Sequence, residues 1–397
     1  MDEAVPEKGC ALSSGMRSTL TVGILMKVVL ISLEPWDQVW RRNQYLSSEL
    51  VRAGSISELC FVEPIVRSAS TMRVRPVSPC ITVFTPGTLV PRSLGGLEMV
   101  GGLLQRTLLA NADLLWINDA PLGARCRRSG VPTIYDVTDD WRSAGLPPRI
   151  SRRIIRAENF LAHHALTIVC SQDLRARWST RYGLDAHVVH NGIAQELWAT
   201  ARPRVMLGTP PHVGYVGTLH EQRLDLDLIA DLSRSGLAGS IHLVGPNCLS
   251  NTNTERLAAL PNVHIHGAVP APDVPGWMLS MDVLISPHVV TPFTQSLDAI
   301  KAYEYSASGR PVVATPTSGF VARGKTQLAP ASSFLGAIEA ALAEPGTCAT
   351  SDSSTPTSVT WTQRAHEFWS AVTPTLAMSR NSSSSVLEAP LSSTANS

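Results

Sequence analysis

Lysine is nearly absent from this chain of 397 residues: four are present among 33 basic side chains. Charged residues of both signs reach only 16%, and the formal net charge is +1. The basic excess that marks a nucleic-acid binder is missing, so no nucleic-acid partner is expected. The arginine bias suits forked binding of phosphate or carboxylate, but it equally reflects genome composition and decides nothing alone. Cysteine motifs are missing as well. Cys10, Cys60, Cys80, Cys126, Cys170, Cys248 and Cys348 form no C-x-x-C pair. Neither a zinc site nor a disulfide framework is suggested, and reduced thiols in the cytoplasm are the expectation. No run of eighteen apolar residues predicts a membrane span. "LTVGILMKVVLISL" comes nearest to a secretion signal, but Lys27 interrupts it and no small-residue cleavage site follows. No G-x-G-x-x-G follows a predicted strand; "VGYVG" is only G-x-x-G, which disfavours a dinucleotide-dependent dehydrogenase.

What is present is enough apolar sequence, 44%, for two cores. Short apolar runs recur, each followed by turn residues and a helical pattern. The first half carries strands at "KVVLIS", "ELCFV", "LLWIN", "TIYDV", "LTIVC" and "HVVHN". The second carries "HVGYVG", "SIHLVG", "VHIHG", "DVLISP" and "RPVVAT". Alternation of strand and helix predicts parallel α/β sheets, and continuous rather than alternating apolar runs fit strands covered on both faces. The series breaks over 194–211, a Pro-containing stretch without period that is read as a linker. The expected division is a flexible extension at 1–25, a Rossmann-like unit at 26–193, the linker, and a second Rossmann-like unit at 212–356. A helix at 359–373 is expected to pack back on the first unit, followed by a flexible Ser/Asn/Thr-rich tail at 374–397.

Ligands in such folds bind beyond the carboxyl ends of the strands, and two facing units make a cleft. "SLDAIKAYEYSASGRPVVAT" is written as a helix that ends at Gly309 and turns into a strand, with Ser296 as its N-cap and Asp298 in its first turn. Lys301 and Glu304 share one helical face. They suit a diphosphate and a pair of ribose hydroxyls, respectively; the plainer reading is a surface ion pair of about 0.2–0.5 kcal/mol. Backbone N–H groups over Thr294–Asp298 are expected to face the cleft. His288, after "DVLISP", is the histidine to test, in a contact rather than a proton-transfer role.

On the amino-terminal side, "YDVTDDW" places Asp136, Asp139 and Asp140 at or after a strand end; Asp139 or Asp140 suits acceptor hydroxyls across the cleft, or the stretch merely starts a loop and caps a helix. "EPWDQVWRRNQ" offers Trp36, Asp37 and Arg41 in the same way, with Trp36 and Trp40 also fitting a core. Arg149, Arg152, Arg153 and Arg156 share a helical face, either solvated or touching anionic lipid. His163 and His164 read as mid-helix packing residues, and His190 as part of a strand-end turn.

"KAYEYSASGRPVVAT" resembles the signature of family-4 glycosyltransferases of the GT-B fold, particularly the bacterial teichuronic-acid type. "VGYVGTLHEQRLDLDLIADL", "LPNVHIHGAVP", "IVCSQDLRARW" and "VVHNGI" resemble other blocks of the same family in order and spacing, so the likeness runs over about residues 27–372. The resemblance implies a cytoplasmic enzyme, free or peripheral on the inner face of the membrane, that moves a sugar from a nucleotide-sugar to a glycan, lipid-linked or small-molecule acceptor. It implies no permanent cofactor; the co-substrate is a UDP-, GDP- or dTDP-sugar. Lys301 and Arg223 would neutralise the diphosphate, Glu304 would hold the ribose, and Gly217 and Thr218 would let backbone approach the donor. The family often has a Glu where Ser296 stands here, which shifts the sugar-binding work to N–H groups at Gln295, Ser296 and Leu297. Asp37, Arg41, Asp139 and Asp140 would serve the acceptor. Retention of configuration is implied only by the family; an inverting relative would need a base, with Asp37 the first suspect. The Asp-x-Asp pair of metal-dependent transferases is replaced by "DVTDD", at another spacing and in the other unit, so no metal is expected. A sugar-nucleotide epimerase of the same fold, or a silent homologue that activates a partner transferase, are the competing expectations.

Overall fold

The computed structural model describes residues 26–127, 130–317, 319–322, 324–343 and 359–384. The extension expected at 1–25, the end of the second unit near 356 and the tail beyond 384 lie outside the described residues.

The first sheet contains β1 (Lys27–Ile31), β2 (Glu58–Val62), β3 (Val66–Arg67), β4 (Met72–Ser78), β5 (Ile81–Thr88), β6 (Leu114–Ile117), β7 (Thr133–Val137), β8 (Leu166–Val169) and β9 (His187–Val188). Its order is β3-β5-β2-β1-β6-β7-β8-β9, parallel throughout except for β4, which pairs antiparallel with β5. In β1, Val28 and Leu30 feed one core layer while Val29 and Ile31 feed the other. That is why the strand reads as an unbroken apolar run.

The remaining strands are β10 (His212–Val216), β11 (Leu219–His220), β12 (Ser240–Val244), β13 (Asn247–Cys248), β14 (Val263–Gly267), β15 (Val283–Ser286), β16 (Val312–Ala314) and β17 (Thr326–Leu328). Six form a parallel sheet ordered β14-β12-β10-β15-β16-β17, and β11 pairs with β13 in a short ribbon. Counted along its own chain segment, this sheet runs 3-2-1-4-5-6, the doubly wound Rossmann order, and the first sheet repeats it around β1. Chain reversal at β10/β15 and at β1/β6 leaves a crevice at the carboxyl end of each sheet. Residues following all four strands line one shared cleft. The fold is therefore GT-B: two Rossmann-like units facing each other.

All eleven expected strands are present. The sequence does not announce the β4–β5 hairpin. β4 is mostly exposed and carries Pro76, and β5 carries Pro86, so neither shows the continuous apolar run that marks the buried strands. The stretch 194–211 is not wholly irregular, since Gln195–Ala199 forms a short helix. The last helix is longer than expected, Trp361–Ser384, and runs through Pro374 into the stretch anticipated as tail. Trp361, Ala365, Phe368, Val372 and Leu376, spaced at three to four residues, bury against the first sheet. Phe368 meets Trp116 with ring centroids 4.4 Å apart, and Trp361 stacks on Tyr45 at 5.0 Å. The helix Pro148–Ala162 ends before His163 and His164, so these are not mid-helix. Instead His164 Nδ1 lies 2.7 Å from the Phe160 carbonyl and its ring stacks on Phe160.

Candidate active site

The cleft encloses about 340 Å³. On the carboxyl-terminal side its wall is built at the β10/β15 switch point. Gly217 follows β10 with φ 154°, and a Cβ there would lie 2.7 Å from Lys301 Nζ. A Cβ on Gly245, after β12, would fall 2.2 Å from the Gly217 carbonyl oxygen. Both glycines are needed so that backbone and the lysine can occupy the same small volume.

Lys301 comes from the helix Ile300–Ser308, whose far end is stopped by Gly309 in the left-handed region. Its ammonium lies 4.2 Å from the Tyr215 ring centroid, hydrogen-bonds the Tyr215 hydroxyl, and is 3.4 Å from His288 Nε2. Among the described residues no carboxylate forms an ion pair with it, so the surface pair with Glu304 does not exist. Burial pulls the Lys301 pKa down to about 7, and Arg223 adds to the fall, against an opposing pull from Glu304. Burial pushes Glu304 up to about 7, with Lys301 opposing. His288 is buried and held neutral, far below its ordinary value, by burial and then by Lys301 and Arg223. Its backbone N–H donates to Thr315 Oγ1 at 3.0 Å. Arg223 packs over Phe293 at 4.8 Å and reaches Asp139 of the opposite unit at 3.6 Å.

The cleft wall thus contains Gly217, Thr218, Arg223, His288, Leu297, Lys301 and Glu304, and from the opposite unit Arg41 and Asp139. Four expected residues, Asp37, Asp140, Gln295 and Ser296, are not on it. Ser296 is not an N-cap: the helix begins at Ile300, and Ser296 closes a tight turn, Thr294–Ser296. Its hydroxyl donates to Phe293 O at 2.7 Å, and its carbonyl accepts Ser171 Oγ at 2.9 Å across the domain boundary. The N–H groups of Gln295 and Ser296 are already spent on the carbonyls of Thr291 and Phe293. Asp37 folds back to accept from Val39 N and Arg41. Asp140 is buried between Arg177 (2.9 Å) and Arg181 (2.6 Å). Its burial is outweighed by Arg181, Ser143 and Arg177, so its carboxyl sits below the ordinary range.

Sequence reasoning missed several wall residues. Arg42, not only Arg41, matters: it forks onto Asp136 at 3.0 Å and donates to Val189 O and Asn191 Oδ1, wholly within the protein. Adjacent arginines look alike until the helix phase is known. Glu34, Asn43, Asn118, His220, Tyr215 and Trp141 also line the cleft. Glu34 and Asn118 carry a usable signal: each sits just past the end of a switch-point strand, β1 and β6 respectively.

Residues 210–344 match the model of the family "Glycosyl transferases group 1". Over 198 residues the chain is 27% identical to a protein of Bacillus subtilis (strain 168) named as a teichuronic acid biosynthesis glycosyltransferase, TuaH; the match covers 46% of this chain and 50% of that one. The chain thus spans about half the length of this curated relative. Sucrose-phosphate synthase from Thermosynechococcus elongatus shares the fold with a TM-score of 0.63 at 16% identity, over 92% of this chain and all of that one. HepE of Anabaena, solved in complex with UDP and glucose, does so with a TM-score of 0.55 at 16% identity, again over 92% and 100%. With both switch points opening on one cleft, the chain has the GT-B fold, and residues 210–344 of its carboxyl-terminal unit are similar to the glycosyl transferases group 1 family.

Proposed function

We propose that the chain is a glycosyltransferase that moves a sugar from a nucleotide-sugar to a glycan, lipid-linked or small-molecule hydroxyl, with retention and without a metal. The observation that carries this reading is Lys301, a half-buried ammonium with no carboxylate ion-pair partner among the described residues, held at the β10/β15 switch point beside Arg223. Such an ammonium is costly unless an anion arrives. A diphosphate meets that need, and the charge it gains as the sugar–phosphate bond breaks is stabilised by the same two cations. Glu304, about one helical turn onward, takes the ribose hydroxyls. The acceptor oxygen bonds to the anomeric carbon, the bond to the diphosphate breaks with its electron pair, and the hydroxyl proton passes to the released diphosphate. The HepE complex with UDP and glucose, on the same fold, supports a UDP-sugar as the first donor to try.

We place the enzyme in the cytoplasm, where Cys60, Cys80, Cys126, Cys170 and Cys248 stay reduced. Among the described residues no helix is long and apolar enough to cross a membrane. Peripheral contact with anionic lipid through Arg149, Arg152, Arg153 and Arg156 is part of the proposal. Arg149, Arg152 and Arg156 are exposed on their helix together with Ile150 and Phe160.

The test is a panel of UDP-, GDP- and dTDP-sugars scored by thermal shift and by release of nucleoside diphosphate. Lys301→Ala is expected to slow donor turnover on the order of 10²-fold, the kinetic equivalent of a lost charged hydrogen bond. Unchanged turnover would refute the phosphate contact. An epimerase would convert the sugar nucleotide without acceptor, and a silent homologue would bind nucleotide without turnover.

A further inference from the structure

The acceptor half of the cleft is rich in hydrogen-bond acceptors and poor in free donors. Asn43 is only 3% exposed, lines the cleft, and its Oδ1 finds no partner among the described residues. The orientation of its amide is fixed: Nδ2 donates to Asn118 Oδ1 at 2.8 Å and to Ser32 Oγ at 3.0 Å, while Asn118 Oδ1 also takes the Leu33 N–H. A reversed amide would set two oxygens against each other, so the orphan is a carbonyl oxygen. A buried acceptor left unpaired costs on the scale of a lost hydrogen bond unless something supplies a donor.

The carboxylates of Glu34 and Asp139 lie on the same wall. Among the described residues, the guanidinium groups there face carboxylates. Arg41 is shared by Glu34 (3.3 Å) and Asp37 (3.2 Å). Arg42 is spent on Asp136, and Arg223 faces Asp139. Among the described residues, a phosphate or carboxylate entering this half would meet the carboxylates of Glu34 and Asp139, while Arg41 and Arg42 are paired to carboxylates and Arg223 is taken by the donor diphosphate in the proposed reaction. A ring bearing several hydroxyls would offer donors to Glu34, Asn43 and Asp139 and lay its C–H face on the half-buried Trp40, which also lines the cleft.

We propose that the reacting end of the acceptor is a neutral polyhydroxylated ring, the terminal sugar of a glycan or glycoside, and not a phosphorylated or otherwise anionic group. This rests on the glycosyltransferase reading and names the acceptor class for it. Glu34, Asn43 and Asp139 position that ring for attack by one of its hydroxyls. The bonds made and broken are those of the transfer above, with the hydroxyl proton leaving on the diphosphate.

The experiment uses the full chain with whichever nucleotide-sugar it turns over. Methyl glucoside, methyl galactoside, methyl N-acetylglucosaminide and their 6-phosphates are added, and nucleotide release and glycoside product are followed. At least one neutral glycoside is expected to raise release tenfold or more above the rate with water. Its 6-phosphate should show a kcat/KM at least tenfold lower. Glu34→Gln and Asp139→Asn, both near-isosteric, should raise the KM for the glycoside about tenfold, the scale of one charged hydrogen bond; with Glu34→Gln, whose carboxylate pairs with Arg41 and not with Arg223, the donor KM should move less than threefold. The inference is overturned if no neutral glycoside accelerates release, if the 6-phosphate is preferred, or if both variants leave the glycoside KM within twofold. Failure of every nucleoside diphosphate to shift the melting temperature is a separate result. It would remove the glycosyltransferase reading and this inference with it.

Discussion

Lys301 and Glu304 are one helical step apart, yet each is held near neutrality by burial and not by the other. Their pKa values of about 7 set opposite limbs of a pH profile. Diphosphate binds the protonated lysine, so above pH 7 binding must take up a proton and weakens as pH rises. Ribose hydroxyls donate to the ionised carboxylate, so binding weakens as pH falls below 7. The expected kcat/KM for the donor is bell-shaped around neutrality, and Glu304→Gln should lose the acid limb while keeping the alkaline one. A flat profile from pH 5.5 to 9 would contradict these assignments. At this scale the sequence is informative where spacing along one helix or a glycine turn decides: Lys301, Glu304 and Gly217. It is silent where the chain folds back on itself. Ser296 reads as a cap, but Ser171 reaches across to its carbonyl and draws the turn inward. Asn43 gives no signal, because its orphan oxygen is created by Ser32 and Asn118, residues that only the fold brings to it.

Elements show the same division. Strands β10, β12 and β14 bring His212, His242, His264 and His266 into one cluster, with His212 Nδ1 3.1 Å from His242 Nε2 and His242 Nδ1 3.0 Å from His266 Nε2. Burial and the neighbouring imidazoles drive His242 down to about 3. His266 is lowered by burial, His264 and Arg204. The folded state disfavours protons on His242 and His266, whereas the unfolded chain binds them near pH 6.5. The stability they confer is full above pH 6.5 and is lost progressively as pH falls below it. For His242 alone the loss by pH 5 is on the order of 1–2 kcal/mol. His242→Leu should flatten the decline in melting temperature between pH 7 and 5; an equally steep decline would rule out this origin. "VHIHG" shows that two histidines share a strand face, but the neighbouring strands that complete the cluster come from pairing order, which no local pattern encodes. The final helix is legible from its apolar spacing. Phe368→Ala should cost about 3–5 kcal/mol, because the ring is fully buried on Trp116. A urea midpoint unchanged by that substitution would mean the helix does not hold the first sheet.

For the whole molecule, alternation of strand and helix is enough to anticipate two doubly wound sheets. The facing of their switch points depends on contacts that tie the units together: Ser171 to Ser296, Asn191 N to Asp298 Oδ2 at 2.6 Å, and Arg223 to Asp139. These contacts join residues more than eighty positions apart, and nothing in either segment announces the other. They also make the cleft a product of both units, with Lys301, Arg223 and Glu304 on one wall and Glu34, Arg41, Asn43 and Asp139 on the other. The most direct measurement is a crystal of the full chain soaked with UDP or GDP. The account predicts the diphosphate within hydrogen-bonding distance of Lys301 Nζ and the Arg223 guanidinium, with the ribose on Glu304. Nucleotide bound outside the cleft, or bound in it with Lys301 still turned onto Tyr215, would contradict it.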